Sequence, residues 1–134
     1  MSFAQTAETL EQITEREQIT VGQAAYIAAA SAGVIGETES EQAALAALFD
    51  SGSDGAASRQ DHPVTLAMYS HMLMTAFERD GGLLYSLFPG PRYALRELEF
   101  ERVIQGGGDP GDTVSGRRAL QFASRLRSIA EEEQ

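Results

Sequence analysis

Helical periodicity is the feature of this sequence that most constrains its fold. In residues 65–77 the apolar side chains recur at intervals of three and four. They are Tyr69, Met72, Leu73, Ala76 and Phe77. Residues 115–130 show the same period more cleanly, and no segment alternates β-branched or aromatic residues with polar ones as a half-buried strand does. The sequence therefore predicts an all-α chain.

Start and stop signals divide the chain into about six helices. Thr20 is a suitable N-cap, and Gln23 completes a capping box with it. Thr38 opens the following helix by the same signature. The alanine-rich run between them ends at Gly33, and so many small residues predict close contact between helices. We expect a single domain over residues 1–134, a compact helical bundle with a loop at 50–62.

The remaining helix boundaries follow from the same signals. A polar first helix is predicted over 6–17, and the third helix should end at 51–52, where Ser and Gly follow one another. Another helix is predicted over 92–105, before a Gly-rich stop. The last should run from Ser115 to about residue 130. Its acidic tail should fray, because carboxylates at a helix C-terminus oppose the helix dipole.

The charge of the chain excludes several classes of partner. Of 134 residues, 20 are acidic and 10 basic, and all ten basic residues are Arg, for a net charge of -10. This charge repels phosphate backbones and anionic membrane surfaces, so we expect no nucleic-acid partner. No apolar run approaches the length of a membrane span, and no membrane insertion is expected.

The residues usual in catalysis and metal binding are sparse. There is no Cys, which excludes disulfides and zinc–thiolate sites. His62 and His71 are the two histidines, and neither has partners at a metal-ligand spacing. Ser70 lies beside His71, but neighbouring residues on a helix point in different directions. The expectation is a protein that is not an enzyme, with no catalytic residue, metal or cofactor.

Two glycine-rich loops are interpreted as connections. Residues 50–61 loosely resemble a calcium loop, but Gly52 occupies a ligand position and Asp61 stands where a bidentate Glu is preferred. Residues 106–111 form a Gly-rich loop before a helix, but they are not expected to bind phosphate. No Lys follows the loop, and Asp109 and Asp112 would repel an anion. We therefore predict that residues 50–61 are a solvated linker and that residues 106–111 are a turn.

Three helices begin with a similar signature, which indicates an internal repeat. In each, a β-branched apolar residue precedes a hydroxyl residue, at repeat starts near 19, 64 and 114. The hydroxyls stand at 20, 65 and 115, which are 45 and 50 residues apart. The hydroxyl caps backbone N–H groups, while the preceding Ile or Val packs back onto the helix as a hydrophobic staple.

The segment 92–126 carries the repeat most completely. Tyr93-Ala94 opens a helix that closes with Val103, Ile104 and Gly106; a Gly/Asp/Pro loop follows, and Val114-Ser115 begins the next helix. This order resembles an S-layer homology unit, in which an aromatic-Ala helix ends in an Ile-x-Gly exit, a Gly/Pro turn follows, and Ile-Thr-Arg-Ala-Glu begins the next helix. The resemblance is weaker for the two earlier copies.

The resemblance implies both a fold and a function. Three such units form a helical pseudo-trimer that anchors proteins to cell-wall polysaccharide, with the Arg of the Thr-Arg-Ala-Glu motif in the binding site. Here the residue after the hydroxyl is Val21, Leu66 or Gly116, and Arg117 follows one place later in the third copy. The arginine of the motif is therefore missing from its usual position. This favours the alternative that the repeats are degenerate and are retained for folding or for protein contacts.

Arginine and aromatic residues supply the candidate binding groups, which are Tyr85, Arg92, Tyr93, Arg117 and Arg118. The aromatic residues and Arg92 within 85–93 surround a rigid Pro-Gly-Pro turn and could stack on and pair with a sugar acid or a peptide. The alternative is that this loop is part of the core and closes the end of the helical bundle.

Two functional hypotheses remain. The first is a non-enzymatic, extracytoplasmic module of the bacterial envelope (periplasm or cell surface) whose signal peptide is absent from this chain. Its partner is a cell-wall polysaccharide or an envelope protein. The alternative is a structural or adaptor domain without glycan binding, whose alanine-rich helix packs on a partner.

Overall fold

Five helices are described by the computed structural model, together with a shorter helical stretch over 11–15. The described residues are 11–36, 39–49, 60–77, 91–100, 103–104 and 109–132, with Arg92, Tyr93 and Phe100 described as backbone alone. The helices are α1 (Val21–Ser31), α2 (Glu41–Leu48), α3 (Leu66–Ala76), α4 (Pro91–Phe100) and α5 (Gly116–Glu132). In these ranges extended pairing is limited to two isolated bridges. The all-α prediction is confirmed.

Hydroxyl side chains begin the helices of the predicted repeat. The Thr20 hydroxyl accepts from the Gln23 amide at 3.2 Å, and the Gln23 side chain accepts from the Thr20 amide at 3.0 Å, so the capping box is present. The Thr65 hydroxyl accepts from Met68 at 3.1 Å, and that of Ser115 accepts from Arg118 at 3.2 Å. Each cap satisfies an amide that the helix itself leaves without a partner.

Two boundaries of α2 differ from the prediction. Its N-cap is Ser40, two residues beyond Thr38, and the Ser40 hydroxyl accepts from the Ala43 amide at 3.1 Å. The helix ends at Leu48 because Phe49 is already extended, whereas 51–52 was the predicted end. The extended backbone of Phe49, not a glycine, marks the end. Most of the predicted 50–62 loop lies outside the described residues.

The other helix ends are partly as predicted. At the end of α1, Gly33 adopts φ +76°, the left-handed conformation predicted to stop the helix. By contrast α4 ends at Phe100, before the predicted 105, and the amides of Val103 and Ile104 both turn back to the Leu98 carbonyl. The fraying predicted for the acidic tail was wrong for Glu131 and Glu132, which are helical. Glu131 forms an ion pair with Arg127 one turn earlier.

The alanine-rich helix α1 lies at the centre of the core. It packs against α2, α3 and α5, and α3 packs in turn against α4. Ala24, Ala25, Ala28 and Ala29 are all fully buried. The close helix–helix contact predicted from the alanines is confirmed, and it is made within the chain.

Backbone hydrogen bonds join α1, α3 and α5 into a closed ring at their N-terminal ends. The first amide of each helix donates to a carbonyl in the segment leading into another. The three bonds are Val21 to His62 (2.8 Å), Leu66 to Asp112 (2.7 Å) and Gly116 to Arg16 (3.0 Å). Ile19 also donates to Val114 (2.9 Å) and Val64 to Ile19 (3.0 Å). We call this set of bonds the ring.

The side chains before the three caps fill the interior of the ring. Ile19, Val64 and Val114 are each fully buried. The predicted staple positions therefore contribute to one shared core, where each apolar side chain removed from water contributes about 1.5–3 kcal/mol.

A leading helix precedes each capped helix and packs on the capped helix of the preceding unit. Thus α2 leads into α3 but contacts α1, and α4 leads into α5 but contacts α3. Residues 11–15 lead into α1, and the Ile13 carbonyl lies against Gly116 at the start of α5. The first unit thereby meets the third, and the arrangement is cyclic.

Candidate functional site

The predicted binding residues divide into two groups. Arg117 is exposed on the first turn of α5, and Arg118 beside it is half-buried. Tyr85 lies outside the described residues, as do the side chains of Arg92 and Tyr93, whose backbone belongs to α4. Arg117 and Arg118 are consecutive residues of α5 and point in different directions, and the other three residues stay predictions.

Arg118 is less exposed than the sequence suggested. Its guanidinium carbon lies 5.1 Å from the centroid of the Phe122 ring, four residues further along α5. Side chains at this spacing share a helix face, and an Arg over an aromatic ring gains a cation–π attraction. Phe122 belongs to the core, so this contact holds the Arg118 side chain against the domain.

The position after each capping hydroxyl is closed to solvent. Val21, Leu66 and Gly116 are all buried. A Cβ atom on Gly116 would overlap the carbonyl oxygen of Ile13, which crosses the start of α5. A side chain as long as Arg cannot be accommodated at Gly116 without displacing this backbone, and the side chains at Val21 and Leu66 are apolar and buried.

Basic residues concentrate on α5. Residues 116–130 hold four of the ten Arg and no acidic residue, whereas the chain as a whole carries -10. Arg117 and Arg125 are exposed, and half-buried Arg118, seven residues before Arg125, lies almost in line with it along the helix. Arg127 pairs with Glu131 at 3.3 Å, and both side chains are about two-thirds exposed, so this ion pair stabilises little. Two of these four arginines, Arg117 and Arg118, were predicted as binding residues; the cluster as a whole was not, although the charge pattern of residues 116–130 indicates it.

A cavity of about 530 Å³ opens at the far end of the domain from the ring. It lies where the C-terminal ends of α1, α3 and α5 meet. Its walls include Ala30, Val34, Ala76, Phe77, Arg127 and Glu131. Val34, 45% exposed, is the one large apolar side chain that is exposed in the described residues. Nothing in the sequence indicates this cavity, because it depends on how three helix ends converge.

Ser70 and His71, which were considered for catalysis, have structural contacts. The Ser70 hydroxyl is buried and donates to the Leu66 carbonyl at 2.8 Å, back along its own helix. His71 is half-buried, with its ring 6.2 Å from that of Phe49, and His62 is exposed. Burial raises the pKa of the Tyr69 hydroxyl, which donates to the Ala119 carbonyl at 2.6 Å. Within the described ranges no three acidic or histidine side chains gather as metal ligands do.

The described part of the Gly/Asp/Pro connection, from Asp109 onward, is a turn as predicted, and residues 106–108 lie outside the described residues. The Asp112 amide donates to the Asp109 carbonyl at 3.0 Å, and the Asp112 carboxylate accepts from the Asp109 amide at 3.0 Å. The calcium-loop residues 50–59 lie outside the described residues.

Comparisons with known proteins add no identification. Neither the protein-family models, nor the curated proteins, nor the solved structures include a match to this chain. Of the helices that the structure describes, none combines the length and apolarity needed to cross a membrane.

Proposed function

We propose that the chain is a non-enzymatic interaction module of the bacterial cell envelope, extracytoplasmic and related in design to S-layer homology units. The observation that supports this is the ring: three capped helices, each preceded by a leading helix, in a cyclic arrangement. A pseudo-threefold of helix–loop–helix units is the arrangement that the sequence resemblance implies.

The closed positions after the three hydroxyls favour a protein partner over a wall polymer. In the family that the sequence resembles, an arginine at this position belongs to the glycan site. Here Val21 and Leu66 are part of the core and Gly116 is covered by the backbone of Ile13. Arg117, one place later and exposed, is the residue that a polymer would have to use instead.

The adaptor alternative needs a different surface from the one first expected. Four alanines of α1 are fully buried where the helix packs against α2, α3 and α5, so they offer no small-residue face to a partner helix; they are Ala24, Ala25, Ala28 and Ala29. If the domain is an adaptor, its contacts are made by the outer face of α5 or around Val34.

Two experiments test the proposal. Fractionation of the source cell should place the full protein outside the cytoplasmic membrane, and recovery in the cytoplasm would contradict an envelope role. The purified domain is also sedimented with isolated cell-wall sacculi, beside an Arg92→Ala/Arg117→Ala double variant and Arg96→Ala. Arg96 is a matched control because it is exposed on α4.

The sedimentation result decides between the partners. Salt-sensitive binding that the double variant loses and the control keeps would establish a wall polymer. If the wild-type domain stays in the supernatant, the polymer is excluded and an envelope protein is the partner to seek.

A further inference from the structure

The cavity at the far end of the domain from the ring is bounded by small residues on three different helices. Its walls include one alanine from the last turn of each, which are Ala30 of α1, Ala76 of α3 and Ala130 of α5. Larger apolar side chains fill the core between these helices, whereas the alanines at their ends leave a space of about 530 Å³. This volume lies in the range of small-molecule sites, about 300–1,000 Å³, and far exceeds an ordinary packing void.

An ion pair lines the same cavity. Arg127 and Glu131 are one turn apart on α5, and the Arg127 Nε atom lies 3.3 Å from a carboxylate oxygen of Glu131. Because both side chains are largely exposed, this pair contributes little to stability and can open with little loss. The pair has no net charge. A ligand with a single charge would therefore gain one partner and meet a like charge beside it.

We propose that the cavity binds a free α-amino acid with an aromatic side chain, in its zwitterionic form. The carboxylate of the ligand accepts from the Arg127 guanidinium, and its ammonium group donates to the Glu131 carboxylate. One ion pair is thereby exchanged for two, and no charge is left without a partner. Both charged groups of the ligand are attached to a single carbon atom, which matches two protein groups that already lie in contact.

The rest of the lining favours an aromatic side chain on this ligand. Phe77 contributes a half-buried aromatic residue to the wall, and the exposed Val34 lies beside it. Aromatic rings attract one another when they pack offset or edge to face, and covering Val34 removes apolar surface from water. A polar side chain would gain neither contribution. This inference goes beyond the proposed function, because an interaction module does not require a small-molecule site.

The test is an NMR titration of the ¹⁵N-labelled full chain with L-phenylalanine. We expect saturable shifts at the amides of residues 30–34 and 127–131, and no shifts at the amides of the ring. N-acetylphenylalanine lacks the ammonium group, and phenylalanine amide lacks the carboxylate. Each of these two compounds should bind at least about tenfold more weakly, because each loses one charge-assisted hydrogen bond.

Matched variants separate the charged groups from the apolar space. Arg127→Gln should weaken binding by about tenfold, whereas Arg117→Gln, the same change at the other end of α5, should alter it by less than about twofold. Ala130→Leu places a larger side chain in the cavity and should abolish binding. Ala46→Leu, at an exposed position of α2, should leave binding unchanged. Leu and Ala both favour helices, so circular dichroism should show that the two alanine variants remain folded.

Three results would overturn this site. The first is the absence of saturable shifts up to the solubility limit of L-phenylalanine. The second is equal binding of the three compounds, which would exclude a role for the ion pair. The third is binding that Ala130→Leu leaves intact, which would place the ligand elsewhere. Fractionation and sedimentation do not involve the cavity, so failure of the proposed function and failure of this inference are distinguishable.

Discussion

The hydroxyl of Tyr69 donates a 2.6 Å hydrogen bond to the backbone carbonyl of Ala119, and both residues are completely buried. Each is the fourth residue of its helix, Tyr69 in α3 and Ala119 in α5. The bond therefore ties two capped helices together one turn inside the ring. A polar atom buried among apolar side chains in this way fixes which helix faces meet, in addition to its contribution to stability.

Replacing Tyr69 by Phe should lower the free energy of unfolding by about 1 kcal/mol, because a buried neutral hydrogen bond is lost while the ring continues to fill its space. Urea titration followed by the helical circular dichroism signal measures the change. A midpoint that does not move would mean that the hydroxyl contributes nothing to the fold.

Alkaline pH should destabilise the domain through the same residue. Burial raises the pKa of Tyr69 above its ordinary value of 10.0, so the folded state keeps the proton that the unfolded state releases. The contribution of protonated Tyr69 to the free energy of unfolding is complete below pH 10. Above pH 10 the free energy of unfolding falls by about 1.4 kcal/mol per pH unit.

The sequence makes this pH effect easy to isolate. The chain contains neither Lys nor Cys, so tyrosines are the side chains that titrate between pH 9 and 12. In urea titrations across that range, the stabilities of wild type and Tyr69→Phe should converge above pH 10 and then cross at about pH 11, because a loss of about 1.4 kcal/mol per pH unit soon exceeds the roughly 1 kcal/mol contributed by the hydroxyl. Parallel curves would contradict a buried, protonated Tyr69.

Gly116 should not tolerate a side chain. In Gly116→Ala the new Cβ would overlap the Ile13 carbonyl, which is backbone and cannot rotate away. We expect a loss of at least about 2 kcal/mol, or displacement of residues 11–16 from the start of α5. Gly111→Ala is the matched control, because no atom lies within 4 Å of its added Cβ, and it should change stability by less than about 0.5 kcal/mol.

Removing the Thr65 hydroxyl should lower the free energy of unfolding by about 1 kcal/mol. It accepts from the Met68 amide at the start of α3, and Thr65→Ala leaves that amide without its cap. Thr113, exposed two residues before Ser115, caps no helix, so Thr113→Ala serves as the control and should stay within about 0.5 kcal/mol of wild type. Thermal unfolding compares the two. Equal losses would show that the hydroxyl at position 65 has no special role.

Local chemistry explains why much of the fold could be predicted. The caps at Thr20, Thr65 and Ser115 are hydrogen bonds between residues three positions apart. The left-handed conformation of Gly33 follows from the residue type at that one position. Such signals are readable in sequence because both partners are neighbours along the chain. The alanines of α1 likewise indicated close packing, although the partner helices could not be named.

Contacts between distant segments account for what was missed. That Ile13 crosses Gly116 is a property of two segments about a hundred residues apart, and the sequence marks it only by a glycine at a helix start. The half-burial of Arg118 follows from the position of Phe122 in the core, which a repeat signature does not contain. The cavity beside Val34 requires three helix ends to meet, so no local pattern predicts it.

The central claim is that three helix starts close into one ring, and native-state hydrogen exchange tests it most directly. The amides to follow by NMR are those of Ile19, Val21, Val64, Leu66 and Gly116, which all donate within the ring. The account predicts that they exchange slowly and with similar opening free energies, because the ring opens as a unit. Fast exchange at Gly116 while the amides of Val21 and Leu66 remain protected would show that the third unit does not close onto the first, and would contradict it.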